Sequence, residues 1–440
     1  MRYTSVIPQN VVTLWEKLLA HGYDTFLVGG AVRDMVMNKV PVDFDLATSA
    51  TPEQIRKIFH GHKFDHVGVS FGVSIVDDVE ISTFRLDSYY GGGDKDVEIR
   101  YAKTLEEDLA RRDLTINAMA MDIEGYLIDP HNGLDDLRSG RIVFVGNPAL
   151  RIQEDPNRIL RACRFASSIN GYLTNKTFRA IRNAVIHDKM LDRVAPERIG
   201  IEVKKAMQTK KASWFWRILV VTGCSEYVIP ELDDGIFHDH GKYHDEDIFE
   251  HNMIAGDSVS TRFPLVKLAA YLHDVGKPAS YNSDDRSFKG HQNIGADIVR
   301  NRLTEMKFSS DEIRKVVNLI LVHMDGTRKM SSKARRRLKN KLDRYDLEWR
   351  EYLRVRIGDR KANKQRPDFT RYDIQKYIEN LTKEEAVPLN AHHLALSGGD
   401  IIKELGIPPG PIVGQIQKEL LQLGIDEGDV WNDRDYLLGY

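Results

Sequence analysis

LVGGAVRD (27–34), followed by DFDLAT (43–48), decides the reading of this chain. Residues 25–28 form a short apolar run and predict a strand. Gly29 and Gly30 break it, and a helix is expected from about Ala31. Lacking Cβ atoms, the glycines let a ligand approach the backbone, and the free N–H groups that open a helix suit a triphosphate. Arg33 adds a planar fork of donors. A second strand is expected over 42–46. On a strand, residues i and i+2 share a face, so Asp43 and Asp45 stand side by side while Phe44 and Leu46 turn away. Carboxylates this close repel unless a cation lies between them. Two Mg2+ ions about 4 Å apart are the usual occupants where a phosphoryl group is transferred.

Outward from this stretch, residues 10–21 predict an amphipathic helix with Val11, Leu14, Leu18 and Leu19 on one side, and Pro52 marks the start of another. Further strands are expected near 72–76, 79–84, 97–101 and 126–128, with a glycine break at 91–93. Residues 1–150 thus predict one α/β domain. Beyond Asn147 and Pro148 the strand signal almost vanishes and helical periodicity dominates, with breaks near 222–247, 280–290 and 363–370. The expected division is a head over 1–150, a helical neck over 151–225, a helical body over 226–365 and a helical tail over 366–440.

The neck opens with RIQEDPNRILRACRFA (151–166), read as one helix carrying Asp155, Arg158, Arg161 and Arg164 at a spacing of three. Neighbours at that spacing are within side-chain reach, but each step drifts by about 60°, so the four are not expected to face one small ligand. Asp155 and Arg158 are the pair expected at a base, with Arg161 and Arg164 left for phosphate, primer or framework. A carboxylate accepts hydrogen bonds and a guanidinium donates them. Together they match an amino donor beside a ring-nitrogen acceptor, the edge that cytosine and adenine share. Guanine and uracil present the reverse. Each mismatched buried contact costs about 1–3 kcal/mol, so the pair selects C and A without a nucleic-acid template.

LVGGAVRD with DFDLAT resembles the nucleotidyltransferase head of the DNA-polymerase-beta superfamily, and within it the branch of class II tRNA nucleotidyltransferases and bacterial poly(A) polymerases. LEEDLARRDLTINAMA (105–120), with Arg112 and Asp113, resembles the segment that shapes the sugar and triphosphate pocket there. Glu154, Asp155 and Arg158 stand in register with the EDxxR motif of class II CCA-adding enzymes, and APERIGIEV (195–203) resembles the neck motif that follows. The resemblance covers roughly residues 22–210. It implies an α/β head followed by an all-helical remainder, and addition of C and A to the 3′ end of tRNA from CTP and ATP with release of pyrophosphate. It also implies Mg2+ on Asp43 and Asp45, the triphosphate on Gly30, Arg33 and Arg112, and nucleotide contacts from Asp155, Arg158, Arg161 and Arg164.

Residues 248–278 contain IFEHNM and LHDVGKP, which place His251 on one expected helix and His273 with Asp274 on the next; Asp359 follows on a third. Imidazoles and carboxylates from packed helices make a mixed nitrogen and oxygen metal site with open positions. The spacing resembles the HD-domain phosphohydrolases, with His291 and His323 as candidates for further ligands or phosphate contacts. That implies a second divalent metal and a hydrolytic activity besides transfer. HDHGKYH (238–244) is also rich in histidine but reads as a loop and is left out of the site.

Composition excludes several classes. Lys and Arg number 63 against 65 Asp and Glu, a net charge of -2, which argues against a wholly basic nucleic-acid coat but not against a basic patch. Such a patch is expected at 328–344, where Lys333, Arg335, Arg336, Arg337, Lys339 and Lys341 cluster. It reads equally as a solvated helix face or as a phosphate contact. Two cysteines support neither a disulfide framework nor a cysteine zinc site. No apolar run reaches membrane-spanning length and the N-terminus lacks a signal-peptide core, so a cytoplasmic protein is expected, with no membrane partner. LSGGDIIKELGIPPGPIVGQIQKEL (396–420) resembles the tRNA-holding tail of the same family and reads equally as a plain helix-turn-helix. Residues 82–104 span the loop that is shortened in CC-adding relatives. Here it keeps its length, which favours full CCA or A addition, although 91–96 replaces the usual Arg-Pro. The remaining alternatives are A-only or CC-only addition, a poly(A) polymerase, and an HD phosphohydrolase with an RNA-binding head.

Overall fold

Short apolar runs alternating with capped helices build a seven-stranded mixed sheet in the first part of the chain. The computed structural model describes residues 6–65, 72–89, 97–240, 244–326, 330–365, 370–382, 391–427, 432 and 434–439. It divides into two units, Met1–Val228 and Ile229–Tyr440.

In the first unit, α1 (Gln9–Ala20) precedes β1 (Thr25–Val28), α2 (Gly30–Val36), β2 (Asp45–Thr48) and α3 (Pro52–Ile58). Then come β3 (Phe64–Asp65), β4 (Val73–Val76), β5 (Val79–Thr83), the hairpin β6 (Arg85–Tyr89) and β7 (Val97–Tyr101), and α4 (Leu105–Ala110). β8 (Ala120–Met121) and β9 (Leu127–Ile128) complete a sheet of order β3-β4-β5-β2-β1-β8-β9. Capping boxes fix two helix starts, Thr51 with Gln54 before α3 and Thr104 with Glu107 before α4. β2 runs parallel to β5 and antiparallel to β1, with Val28 opposite Asp45 and Ala47 opposite Ser82. Side chains at 28, 45, 47 and 82 therefore share one face. Val28, Ala47 and Ala120 carry that face onto Leu105 and Leu109 of α4, while Leu27, Leu46 and Ile81 are wholly buried on the other.

The second strand starts later than expected. The β1 ladder ends where Gly29 turns to φ +71, so Asp43 lies in irregular chain ahead of β2 and only Asp45 belongs to the strand. Residues 151–166 also differ from the expected single helix. α5 (Gly133–Arg138) and β10 (Arg141–Ile142) lead to α6 (Pro148–Glu154), which stops at Asp155, held extended at φ -146 and ψ 99. Pro156 has no N–H to continue the ladder, and α7 (Arg158–Ser168) begins anew. Among the described residues one strand survives beyond Pro148: Tyr172–Leu173 pairs in parallel with β10. Gly171 beside it admits no side chain, since a Cβ would sit 2.2 Å from the Gly140 carbonyl oxygen.

The second unit is helical. Ile248–Asp257, Pro264–Leu272, Ser310–Val322 and Trp349–Ala362 pack around the buried rings of Tyr271 and Tyr352. The basic helix Ser332–Arg344 is not a uniformly solvated face. Arg336, Leu338, Asn340 and Leu342 turn inward, whereas Lys333, Arg337 and Arg344 are exposed; Arg328 lies outside the described residues. In the tail, Gly398–Leu405 and Pro411–Glu427 flank a turn at Gly406 (φ +62) and share a small apolar core with Leu394, Leu396 and Leu437. Among the described residues, no helix is long and apolar enough to cross a membrane.

Candidate functional site

The open end of the head sheet carries a polar cavity of about 850 Å³. Gly30, Arg33, Asp43 and Asp45 line one side of it, with Arg112 between. Asp155, Arg158, Arg161 and Arg164 line another. All nine residues expected from the sequence are thus brought together, the four neck residues Asp155, Arg158, Arg161 and Arg164 among them. Asp155 reaches the cavity from the break between α6 and α7, and α7 supplies the other three from a wall long enough for all of them.

Sequence reasoning missed Glu80. It precedes Ser82 by two on β5, next to β2, and so points to the same face as Asp45. The signal was present: the run VEIST alternates inward Val79, Ile81 and Thr83 with outward Glu80 and Ser82. Burial pushes the Asp45 carboxyl up to about 6, Glu80 and Asp43 add to the rise, and Arg112 opposes it. Three carboxylates converging where one already resists ionisation form a set suited to divalent cations.

The arginines around the cavity are held from behind. Asp108, wholly buried on α4, grips Arg111 at 2.7 Å and Arg112 at 3.0 Å. Burial works against its charge, but the Arg112 and Arg111 guanidiniums hold it below the usual carboxylate range. Arg112 Nη1 lies 3.3 Å from where a Cβ on Gly29 would stand, so that glycine serves both its positive φ and the close approach of this side chain. Arg33 donates to Asn117 at 2.7 Å. Arg161 pairs with Asp113 at 2.6 Å, and Arg164 with Glu202 at 2.5 Å. Burial opposes the Asp113 charge, yet Arg161 and Asn117 bring its carboxyl down to about 2.

The expected base-reading pair is arranged differently from an i, i+3 couple. Arg158 donates to Glu154 at 2.6 Å and to the Arg111 carbonyl at 3.2 Å. Asp155 accepts from Arg198 at 2.9 Å and from the Asn157 backbone N–H at 3.1 Å. Glu154 thus anchors the guanidinium and Arg198, from APERIGIEV, anchors the carboxylate. Each Asp155 oxygen keeps a second lone pair for a ligand.

The second unit holds a buried histidine cluster. His251 lies on Ile248–Asp257 and Asp359 on Trp349–Ala362, as expected, whereas His273 and Asp274 follow directly after Pro264–Leu272. All four converge. His251 Nε2 is 3.2 Å from Asp359 Oδ1, and His273 Nε2 is 3.3 Å from Asp274 Oδ2. On the other side of Asp274, Oδ1 faces His291 Nε2 at 3.3 Å and His323 Nε2 at 3.5 Å. His273 Nε2 and Asp274 Oδ1 are buried without a hydrogen bond. Burial opposes the charges of Asp274 and Asp359, but their histidine, lysine and arginine neighbours hold both well below the carboxylate range. Burial pulls His323 down to about 4, so its imidazole is neutral at pH 7. Acceptor atoms left unmet around two ionised carboxylates fit a divalent cation centre. The excluded loop belongs here after all: His240 and His244 stand in this cluster with Glu246, although 241–243 lie outside the described residues. The loop composition masked them, because periodicity carries no information about a segment without regular structure.

Comparison with known proteins matches three segments of the chain and its length as a whole. Residues 25–143 match the poly A polymerase head domain, 173–236 the probable RNA and SrmB-binding site of polymerase A, and 256–348 the HD domain. A CCA-adding enzyme of Streptococcus pyogenes serotype M4 is 30% identical over 97% of this chain and 94% of that protein. The crystal structure of the Bacillus stearothermophilus CCA-adding enzyme in complex with CTP superposes with a TM-score of 0.70, at 24% identity, over 98% of this chain and 96% of that one. The Thermotoga maritima CCA-adding enzyme complexed with tRNA gives 0.56 at 17% identity, covering 99% and 96%. A head of the polymerase-beta type, a helical remainder and identity sustained along nearly the whole length place this chain in the CCA-adding enzyme family.

Proposed function

We propose that this chain adds C and A to the 3′ end of tRNA from CTP and ATP, releasing pyrophosphate, with the head cavity as its active site. The observation that carries the reading is the meeting of Asp43, Asp45 and Glu80 with Asp155 and Arg158 in one cavity. Divalent ions held by the three carboxylates, Mg2+ in this reading, supply activation of the tRNA 3′-hydroxyl and neutralisation of the leaving pyrophosphate. Arg33, Arg112 and the backbone at Gly30 hold the triphosphate. The 3′-oxygen forms its bond to the α-phosphorus as the bond to the β-phosphate bridging oxygen breaks. Asp155 accepts from the amino group of cytosine or adenine, and Arg158 donates to the adjacent ring nitrogen. Arg161 and Arg164 border the same cavity, and their ion pairs keep that wall in shape. The neck over 151–225 reads the base in this account, and the body and tail contribute to holding tRNA in the cytoplasm. Residues 91–96, which bear on full against partial addition, lie outside the described residues.

The test is incorporation on three tRNA transcripts, lacking CCA, ending in CC, or carrying CCA, each given labelled CTP or ATP with Mg2+. Entry of C followed by A supports the reading. Acceptance of A by the CC-ended tRNA alone marks an A-adder, and C without A a CC-adder. No incorporation on any transcript sinks the transferase assignment.

The histidine cluster favours a second reading alongside the first. His251, His273, Asp274 and Asp359, with His291 and His323, hold a divalent cation that supplies Lewis acidity for phosphoester hydrolysis when bound. Metal content of the purified chain, before and after His273→Ala, tests it.

A further inference from the structure

Two imidazoles of the cluster, His240 and His244, lie outside both the HD match and the residues that the sequence singled out. His240 sits on the loop before Ile248–Asp257, ahead of the matched 256–348, with its side chain wholly buried. Its Nε2 is 3.4 Å from Asp274 Oδ2, while its Nδ1 is buried without a hydrogen bond, 3.8 Å from Glu246 Oε1. His273 Nε2 and His251 Nε2 lie 3.3 and 3.7 Å from the same Asp274 oxygen. Three imidazole nitrogens therefore surround one carboxylate oxygen, farther off than good hydrogen bonds of about 2.9 Å. His240 and His273 are spaced from it like ligands of one ion, since two donors each about 2.1 Å from a metal stand roughly 3.0–3.5 Å apart; His251 stands just beyond, at 3.7 Å.

The proton positions agree. Lys277 Nζ lies 2.6 Å from both His240 Nε2 and Asp274 Oδ2. An ammonium only donates, so His240 Nε2 is the nitrogen with the lone pair. Glu246 faces His251 Nδ1 at 3.0 Å, and the Ala270 carbonyl faces His273 Nδ1 at 2.8 Å. Both partners accept, which places protons on Nδ1, as behind metal-bound imidazoles; His273 Nε2 is then left without a hydrogen bond, while His251 Nε2 faces Asp359 Oδ1 at 3.2 Å, the carboxylate with which it would share the ion. The Lys277 ammonium stands where His240 and Asp274 would share a cation.

We propose that His240 is a direct ligand of the cation in this centre, beside His251, His273, Asp274 and Asp359. With three imidazoles, the centre takes a late first-row ion such as Co2+, Ni2+ or Zn2+ in preference to Mg2+. The proposal rests on the reading of this cluster as a cation centre.

The probe is Co2+, titrated into the chelator-stripped full-length chain in excess Mg2+, which occupies the head carboxylates. Bound metal is counted and the ligand-field absorption recorded. The wild type is expected to bind Co2+ with a visible band. His240→Ala should weaken binding by at least about tenfold and shift the band, with CTP and ATP incorporation within about twofold of wild type as the check on folding. His240→Cys gives a direct signature, a sulfur-to-cobalt charge-transfer band in the near ultraviolet. If His240→Cys binds Co2+ without that band, or His240→Ala keeps wild-type affinity and spectrum while His273→Ala loses both, His240 is not a ligand. If the wild type takes up no Co2+ against Mg2+, the reading of the cluster as a transition-ion centre fails with it.

Discussion

Asp45 shows how a single side chain can report on its cavity. Its carboxyl is raised to about 6 by burial first and by Glu80 next, with Arg112 working the other way. A cation binds the ionised form, so protonation competes with metal. Mg2+ affinity is expected to be level above pH 6 and to fall by up to about tenfold per pH unit below it. Glu80→Gln removes a charge that raises Asp45, so the acid limb should move to lower pH. The same change should weaken Mg2+ binding at neutral pH if Glu80 touches the ion. Mg2+ titrations followed by calorimetry between pH 5 and 8 read both effects. An acid limb that stays in place in the variant would remove Glu80 from the electrostatics of the site.

At the scale of elements, the break between α6 and α7 governs the base-reading wall. Asp155 is held by Arg198 across to Pro196–Met207, and Arg158 by Glu154 at the end of α6. Asp155→Ala should relax base choice by about 10- to 100-fold, from about 1–3 kcal/mol per mismatched contact; misincorporation of UTP and GTP measures it. Arg198→Ala is expected to act in the same direction and less strongly, because it frees the carboxylate without removing it. Arg164 answers to stability instead. Arg164→Ala strands Glu202, whose side chain is 3% exposed, and such a broken buried pair costs about 3–5 kcal/mol; a melting curve lowered by several degrees is the expected reading. These elements also show what the sequence made legible. The strands flanking Gly29 and Gly30, and the helices bearing His251 and Asp359, follow from local periodicity. The shift of β2 does not, because the length of its partner strand sets where it starts. Pro156 is a visible helix breaker, but the three-residue spacing of Asp155, Arg158, Arg161 and Arg164 around it is that of one continuous helix. The alternation of VEIST turns Glu80 outward, but sheet register decides which site it joins; His240 joins through the packing of a loop, which no local pattern encodes.

Across the whole molecule, two kinds of cation chemistry fall in two separate units. The head offers an all-oxygen set, Asp43, Asp45 and Glu80, within Met1–Val228. The histidine cluster, rich in nitrogen, lies within Ile229–Tyr440. Hard oxygen donors suit Mg2+, and imidazoles favour later transition ions, so the two centres should separate by metal as well as by mutation. Asp43→Ala with Asp45→Ala is expected to abolish CTP and ATP incorporation while leaving transition-metal content unchanged. Asp274→Asn, which removes a charge shared among His273, His291, His323 and Lys277, is expected to strip that metal and leave Mg2+-dependent incorporation within about twofold, a change of under about 0.5 kcal/mol. Metal content and incorporation measured on the same preparations decide it. Loss of incorporation in a folded Asp274→Asn chain would mean that the centres act as one. Survival of incorporation without Asp43 and Asp45 would move the chemistry away from the head altogether, and the chain would then be an HD hydrolase whose head only binds RNA.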